Sequence, residues 1–329
     1  CGFVGTVTSA GGYHVGGLCG NNGNSTISNC YSIGKVSGGS DVGGLCGYSV
    51  GIIEYCYSSC TVSGESDVGG LCGEAYSYNN CYFNIDLYPH VNNVGVGITT
   101  EDICTGTVPY GFDESIWNAG SYSYEGEMYN IKLRTATYVY PSLKGIGSAH
   151  IAVETQYDYG FNGAEDWRRC TVINTADEFV AIGNDSDRWD ENFVLGANID
   201  LAGRTDVMPI GNSQGIYYKG IFSGDGHSVS NVTMELKDRT FVGIFGHNRG
   251  TIMNLSASGT IDGTSKVGGI CGYNGGYGLI YNCSFSGSVS GQIFEVGGIC
   301  GENSNIVENC YAIADVEALK NAGGICGIS

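Results

Sequence analysis

Basic residues are scarce in this 329-residue chain: 14 Lys and Arg stand against 33 Asp and Glu, a formal net charge of −19. A protein that grips a phosphate backbone needs cationic partners for it, so nucleic-acid binding is excluded as a reading. Docking on an anionic membrane surface is disfavoured for the same reason. Proline is nearly absent, at 4 residues, and the 56 glycines follow no Gly-X-Y period, which rules out collagen. No run of about 20 apolar residues is present, so no membrane insertion is expected. Long Leu/Ala/Glu/Lys stretches with a 3.6-residue period are missing too. Hydrophobic residues nevertheless make up 42% of the chain, enough for a real core and too many for a disordered one.

What is abundant is cysteine, at 15 residues, and it recurs at regular intervals. Val15-Gly-Gly-Leu-Cys-Gly20 returns at 42–47 and 68–73, then with Ile for Leu at 267–272 and 296–301, and as Ala322-Gly-Gly-Ile-Cys-Gly327. A variant, Val242-Gly-Ile-Phe-Gly246, lacks one Gly and the Cys. Within each half of the chain the copies lie 25–29 residues apart. Nine to twelve residues after each motif cysteine comes a second one: Cys30, Cys56, Cys81, Cys283 and Cys310, in or near an Asn-Cys-Tyr context. A fixed period of this size means stacked units. From Cys30 to Val36 the residues alternate: Cys30, Ser32, Gly34 and Val36 suit a narrow interior, and Tyr31, Ile33 and Lys35 an outer wall. The expected fold is all-β, a β-solenoid of 25–29-residue rungs stacked about 4.8 Å apart, with glycine where the backbone turns or is closely approached.

The Gly-Leu-Cys-Gly and Gly-Ile-Cys-Gly cores resemble the GLUG motif, Gly-Leu-any-Gly, of repeat proteins found on bacterial surfaces. The resemblance covers about 1–83 and 242–329. It extends inward: Gly97-Ile-Thr-Thr-Glu-Asp102, Trp117-Asn118 and Tyr140-Pro-Ser-Leu-Lys144 are similar to segments that close such arrays. Asn174-Thr-Ala-Asp-Glu-Phe179, Asn198-Ile-Asp-Leu201 and the run 220–227 are similar to segments that open one. The expected organisation is therefore 1–83, the last part of a solenoid; 84–148, a β-rich closing cap; 149–169, a tether; 170–241, a β-rich opening cap; and 242–329, the start of a second solenoid. The resemblance implies an extracellular, adhesin-like repeat architecture, not a catalytic domain. Cysteine at the motif's variable position departs from the commoner pattern of small or apolar residues.

The regular cysteines lack zinc-ribbon spacing and point to disulfides in an oxidising compartment. Where the motif cysteine becomes Phe245, the downstream one becomes Leu255, so both vanish together. That favours bonds within a rung: Cys19–Cys30, Cys46–Cys56, Cys72–Cys81, Cys271–Cys283 and Cys300–Cys310, each closing a loop of roughly 10–15 residues worth about 3 kcal/mol. Pairing of neighbours up a column competes, because a rung spacing of about 4.8 Å also fits disulfide geometry. Free buried thiols are the third reading. Cys60, Cys104 and Cys170 lie outside the pattern; Cys60 falls in the place of Gly34, and Cys60–Cys104 is a weaker candidate pair.

Cys1-Gly-Phe-Val-Gly5 aligns on Cys30, and Ala322–Ser329 is a first half-rung, so Cys1 and Cys326 each lack the partner their rung calls for. The order is permuted, the end of one array preceding the start of another. Either the chain is one window on a longer tandem repeat, or copies join head-to-tail with Cys326 meeting Cys1 at the junction. The functional expectation is a stiff structural rod in a surface fibre, with no enzymatic activity. The alternatives are an adhesin that binds a glycan or cell-surface receptor, and a β-helical enzyme acting on polysaccharides. For the second role Tyr31, Tyr57, Tyr82 and Tyr311 form a candidate outward column. Asp166, Asp185, Asp187, Asp190 and Glu191 read as a solvated acidic loop, with calcium binding as the alternative. Asp225 with His227 reads as a turn. No cofactor is expected. Asn24, Asn184, Asn231, Asn254 and Asn282 begin N-glycosylation sequons.

Overall fold

A computed structural model describes residues 1–90, 92, 94–103, 109–118, 121–125, 135–139, 142–143, 170–212 and 215–329. The chain is a β-solenoid. A typical rung has four short strands, as in Tyr13–Gly16, Cys19–Asn22, Thr26–Ser28 and Tyr31–Ser37. Each stacks in parallel on its counterparts in neighbouring rungs: Val15 on Val42, Cys19 on Cys46, Ile27 on Ile53, Tyr31 on Tyr57. The alternation read from the sequence holds. Cys30, Ser32 and Val36 turn inward and are buried, and Lys35 is exposed. The interior is a set of columns, such as Ile244, Ile270, Ile299, Ile325, Leu18, Leu45 and Leu71, all buried. Burying one such side chain stabilises by about 1.5–3 kcal/mol.

The corners depart from the expectation that glycine makes them. Two corner columns take the left-handed conformation with other residues. His14, Asp41, Asp67, Phe241, Lys266, Glu295 and Asn321 precede the motif valine or alanine, and Asn29, Tyr55, Asn80, Asn254, Asn282 and Asn309 precede the second cysteine or its Leu255 replacement, with φ between 47° and 64°. Asparagine suits this region because its short amide side chain tolerates it, which accounts for the Asn-Cys signature. The motif glycines serve close approach instead. A Cβ on Gly17 would lie 2.1 Å from the carbonyl oxygen of Gly44 in the next rung.

The two half-arrays meet within the chain. Gly2–Thr8 lies between Tyr311–Glu317 and Tyr31–Ser37, pairing with both over seven residues. Cys326–Ile328 lies between Cys300–Asn303 and Cys19–Asn22, and Lys320–Gly323 stacks on Tyr13–Gly16. The half-rungs at Cys1 and Cys326 are here stacked on the chain's own other half. One continuous stack results, running from 170 through 329 and then from residue 1 onward. Its first turns bear a helix, Ala176–Asn184, started by a capping box between Thr175 and Glu178 and packing Phe179 on Phe222. At the other end Tyr88 donates to the Val68 carbonyl, and the Asn92 amide donates to the carbonyls of Cys72 and Gly73. Among the described residues no helix is long and apolar enough to cross a membrane.

Three residues past Phe245 and most motif cysteines runs a buried polar column of asparagine and serine, ending at Ala75 past Cys72. Asn248 Nδ2 donates to Asn274 Oδ1 at 2.8 Å, Asn274 Nδ2 donates to Asn303 Oδ1 at 2.8 Å, and Asn303 Nδ2 donates to the Ser329 hydroxyl at 3.4 Å. Farther along, Asn22 Nδ2 donates to the Ser49 hydroxyl at 2.9 Å. Asn274→Ala would leave the buried Asn248 amide and the Gly278 carbonyl short of partners. Each such group costs about 1–3 kcal/mol. The variant should lose about 2–4 kcal/mol in urea unfolding, and Asn274→Ser, which mimics Ser49, should lose less.

Candidate functional site: thiol rows and a tyrosine strap at the seam

Stacking in register turns the regular cysteines into two interior rows of six. The first runs Cys271, Cys300, Cys326, Cys19, Cys46, Cys72. The second, one residue before a paired strand in every rung, runs Cys283, Cys310, Cys1, Cys30, Cys56, Cys81. Phe245 stands next to Cys271 and Leu255 next to Cys283, so both rows end together at the same rung. All are buried except Cys1, which is half-buried. No S–S bond joins the described cysteines. First-row thiols donate to the carbonyl two residues ahead, as Cys46 to Tyr48 at 3.3 Å; second-row thiols donate to the carbonyl two residues behind, as Cys56 to Glu54 at 3.1 Å. Thiols within a row also interact with each other, Cys19 with Cys46 and Cys56 with both Cys30 and Cys81. Cys56, Cys300 and Cys310 are raised well above the ordinary thiol range, first by burial.

Cys60 sits inward, stacked on Gly34 as its position implied, and burial pushes its thiol up to about 11 despite bonding to Ser32 and Ser58. Cys170 begins the strand Cys170–Ile173, far along the stack from Cys60. Cys104 lies outside the described residues, as do Asp166 and the tether 149–169.

At the seam the third strand of one rung is skipped, while the fourth, Gly2–Thr8, is present. Ile306–Glu308 pairs only with Leu279–Tyr281, and Thr26–Ser28 only with the strand above it. Between them opens a cleft of about 550 Å³, lined by Ile27, Ile306, Val307, Glu308, Cys1 and Cys326 among others. Its described lining holds one carboxylate, so the paired acid and base of a glycosidase are not assembled there.

The tyrosine column points away from the main core, as the alternation predicts, yet it is not a free binding face. Tyr31, Tyr57 and Tyr82 are buried beneath Phe112 and Trp117 of the segment 109–118. Tyr31 and Tyr57 stack at 5.7 Å, and Trp117 packs on both, 6.1 and 5.7 Å away. Tyr82 donates to the Tyr110 carbonyl at 2.8 Å, and Trp117 Nε1 donates to Asn29 Oδ1 at 3.3 Å. Across the seam the column's place falls to Gly2, where a Cβ would lie 2.4 Å from the Tyr31 ring. The ring lies over that glycine and its hydroxyl bonds to Tyr311 in the other half-array. A strap of the chain's own residues thus covers Tyr31, Tyr57 and Tyr82, the part of the column that was an alternative glycan platform.

The acidic residues of the opening segment serve local structure. Asp185 caps the short turn Ser186–Arg188, Arg188 pairs with Glu191 at 3.2 Å, and Lys219 pairs with Asp190 at 3.0 Å. Among the described residues no three or more His, Cys, Asp or Glu converge as a metal site. His227 donates its backbone N–H to the Gly224 carbonyl in a turn beside Asp225. Of the sequons, Asn24, Asn184 and Asn231 are exposed, while Asn254 and Asn282 are half-buried and bonded to each other at 2.8 Å. Spacing along the chain did not reveal the contact of His14 with Asp41 of the next rung, 3.6 Å apart, which only register creates.

Two outcomes follow from this geometry. Trp117→Ala should destabilise by about 3–5 kcal/mol and expose Tyr31 and Tyr57, read by urea unfolding and tyrosine accessibility. In the fully reduced protein, Cys60 keeps its proton to a higher pH than it would in the unfolded chain. That contribution is complete below about pH 9 and is lost as pH rises towards about 11, so urea midpoints should fall across this window; a flat profile would contradict the burial.

Comparisons with known proteins place this geometry. The family model described as the GLUG motif matches residues 11–37 and 263–290, one stretch in each half-array. Halomucin from Haloquadratum walsbyi is 29% identical over 141 residues, 40% of this chain and 2% of halomucin, so the chain spans a small fraction of that relative. A solved structure of a candidate immunoglobulin A1 protease from Bacteroides ovatus aligns at 24% identity and a TM-score of 0.38, over 48% of this chain and 61% of that one. The motif matches fall one in each half, on strands that stack into a single column, and the chain is a β-solenoid that carries the GLUG motif in both halves.

Proposed function

We propose that this chain is a structural, non-catalytic element of an extracellular or surface protein, a stiff rod segment whose role is to hold shape. The observation that carries this reading is the shared register: apolar and thiol columns run through the stack and continue across the seam, where one short strand is skipped. The side chains that could have formed a binding face, the tyrosine column, are taken up by the strap. The net charge of −19 favours solubility and mutual repulsion of rods at close quarters. The GLUG motif in both halves supports an extracellular setting.

A second reading rests on the permuted order. Strands 311–317 and 2–8 pair over seven residues, as 31–37 and 57–63 do, and the same junction made between copies would give a head-to-tail fibre. Light scattering at rising concentration separates the two: a constant mass supports the self-contained rod, and growth without limit supports exchange of halves.

The test of role is a glycan array run beside a panel of polysaccharide substrates. No retention and no new reducing ends are expected. Saturable binding to one glycan class would replace the structural reading with an adhesin. Release of reducing ends would replace it with an enzyme.

A further inference from the structure

We propose that the twelve cysteines of the two rows are disulfide-bonded along the rows rather than across the rungs, in one arrangement: Cys271–Cys300, Cys326–Cys19 and Cys46–Cys72 in the first row, and Cys283–Cys310, Cys1–Cys30 and Cys56–Cys81 in the second.

The argument begins with register. Row neighbours are in-register residues on adjacent parallel strands, or stand one residue before such a pair. Stacked rungs lie about 4.8 Å apart, inside the 4.4–6.8 Å window that a disulfide requires between Cα atoms. Row neighbours also meet thiol to thiol, Cys271 with Cys300 and Cys283 with Cys310, as well as in the other half-array. Within a rung, Cys30 influences Cys19 only through space and more weakly than Cys46 does.

Parity then fixes the arrangement. Each row holds six cysteines, and among the described residues no further cysteine extends it at either end. Phe245 and Leu255 stand at one end. At the other end Gly95 follows Cys81, and no cysteine strand pairs beyond Cys72 among the described residues. Six sites in a line, joined only to nearest neighbours with none left over, can be paired in one way. That solution places the middle bond of the first row, Cys326–Cys19, across the seam between the half-arrays. It also accounts for the joint loss of both cysteines at Phe245 and Leu255 without a bond between those two positions, since both rows stop at that rung.

The chemistry needs an oxidant, and the proposal takes it to be a small-molecule or protein disulfide of an oxidising compartment. One cysteine thiolate attacks the donor disulfide and releases a donor thiol. The neighbouring cysteine then attacks the mixed disulfide at the protein sulfur and releases the second donor thiol. Two protons and two electrons pass from the cysteine pair to the donor. Because the rows are buried once the rungs have stacked, exchange belongs to folding, as each rung is laid on the last.

The protein is refolded with oxidised glutathione, alkylated, digested without reductant, and its cystine peptides are identified by mass spectrometry. The six row linkages are expected. Cys19–Cys30, Cys46–Cys56, Cys72–Cys81, Cys271–Cys283 or Cys300–Cys310 would overturn the proposal, as would twelve alkylated thiols. Two variants decide independently. In Cys46→Ser the newly alkylated residue is Cys72 if bonds follow the rows and Cys56 if they follow the rungs. In Cys300→Ser it is Cys271 or Cys310, respectively. Glutathione supplies the oxidant whatever the natural compartment, so a failure of the pairing is read separately from a failure of the extracellular reading.

Discussion

Parallel stacking in strict register is the constraint from which the rest of this structure follows. Each rung places a residue directly on its equivalent in the next, so whatever a position contributes is contributed again at every level. Apolar positions become continuous columns, as with Ile244 through Leu71. A buried amide, costly alone, finds its partner in the rung above, as Asn248 does in Asn274. Thiols become rows. Stability in such an array is a sum of nearest-neighbour terms, and a faulty rung is felt mainly by the two beside it.

Much of this was legible in the sequence because the signals were periodic. The Val-Gly-Gly-Leu-Cys-Gly repeat defined the rung, and the alternation from Cys30 to Val36 told inside from outside; both hold. The paired change to Phe245 and Leu255, read in the sequence as a sign of bonds within a rung, marks the rung at which both cysteine rows stop. What stayed hidden were relations that a single rung does not contain. The amide column is written as Asn22, Asn248, Asn274 and Asn303, with Ser49 and Ser329 in the same place, and it becomes visible only when the repeats are aligned three residues past the cysteine or its Phe245 replacement. The left-handed corners resisted because His14, Asp41, Phe241 and Lys266 share a backbone angle and no side-chain chemistry.

The strap over the tyrosines was hidden for a different reason. Strand alternation gives the side of the wall on which a residue stands, and Tyr31 and Tyr57 do stand outside the main core. It cannot say whether a later segment returns to cover that side. Phe112 and Trp117 do so from 55 or more residues farther along the chain, and the outer wall gains a small core of its own. The helix Ala176–Asn184 was missed as well: the segment 170–241 was expected to be β-rich, although Thr175 and Glu178 spell a capping box.

The permuted order also decides how this molecule would carry a load. Residues 2 and 328 lie in the same rung, near the middle of the stack and remote from the helix-bearing turns at one end and the Tyr88–Asn92 segment at the other. Tension applied through those residues would bypass both ends and act on a single joint. There the strand Gly2–Thr8 is gripped on both edges by seven-residue pairings, so a pull along it must shear many hydrogen bonds together, whereas a pull across it opens them one after another. The stack would thus resist a pull along that strand more than a pull across it.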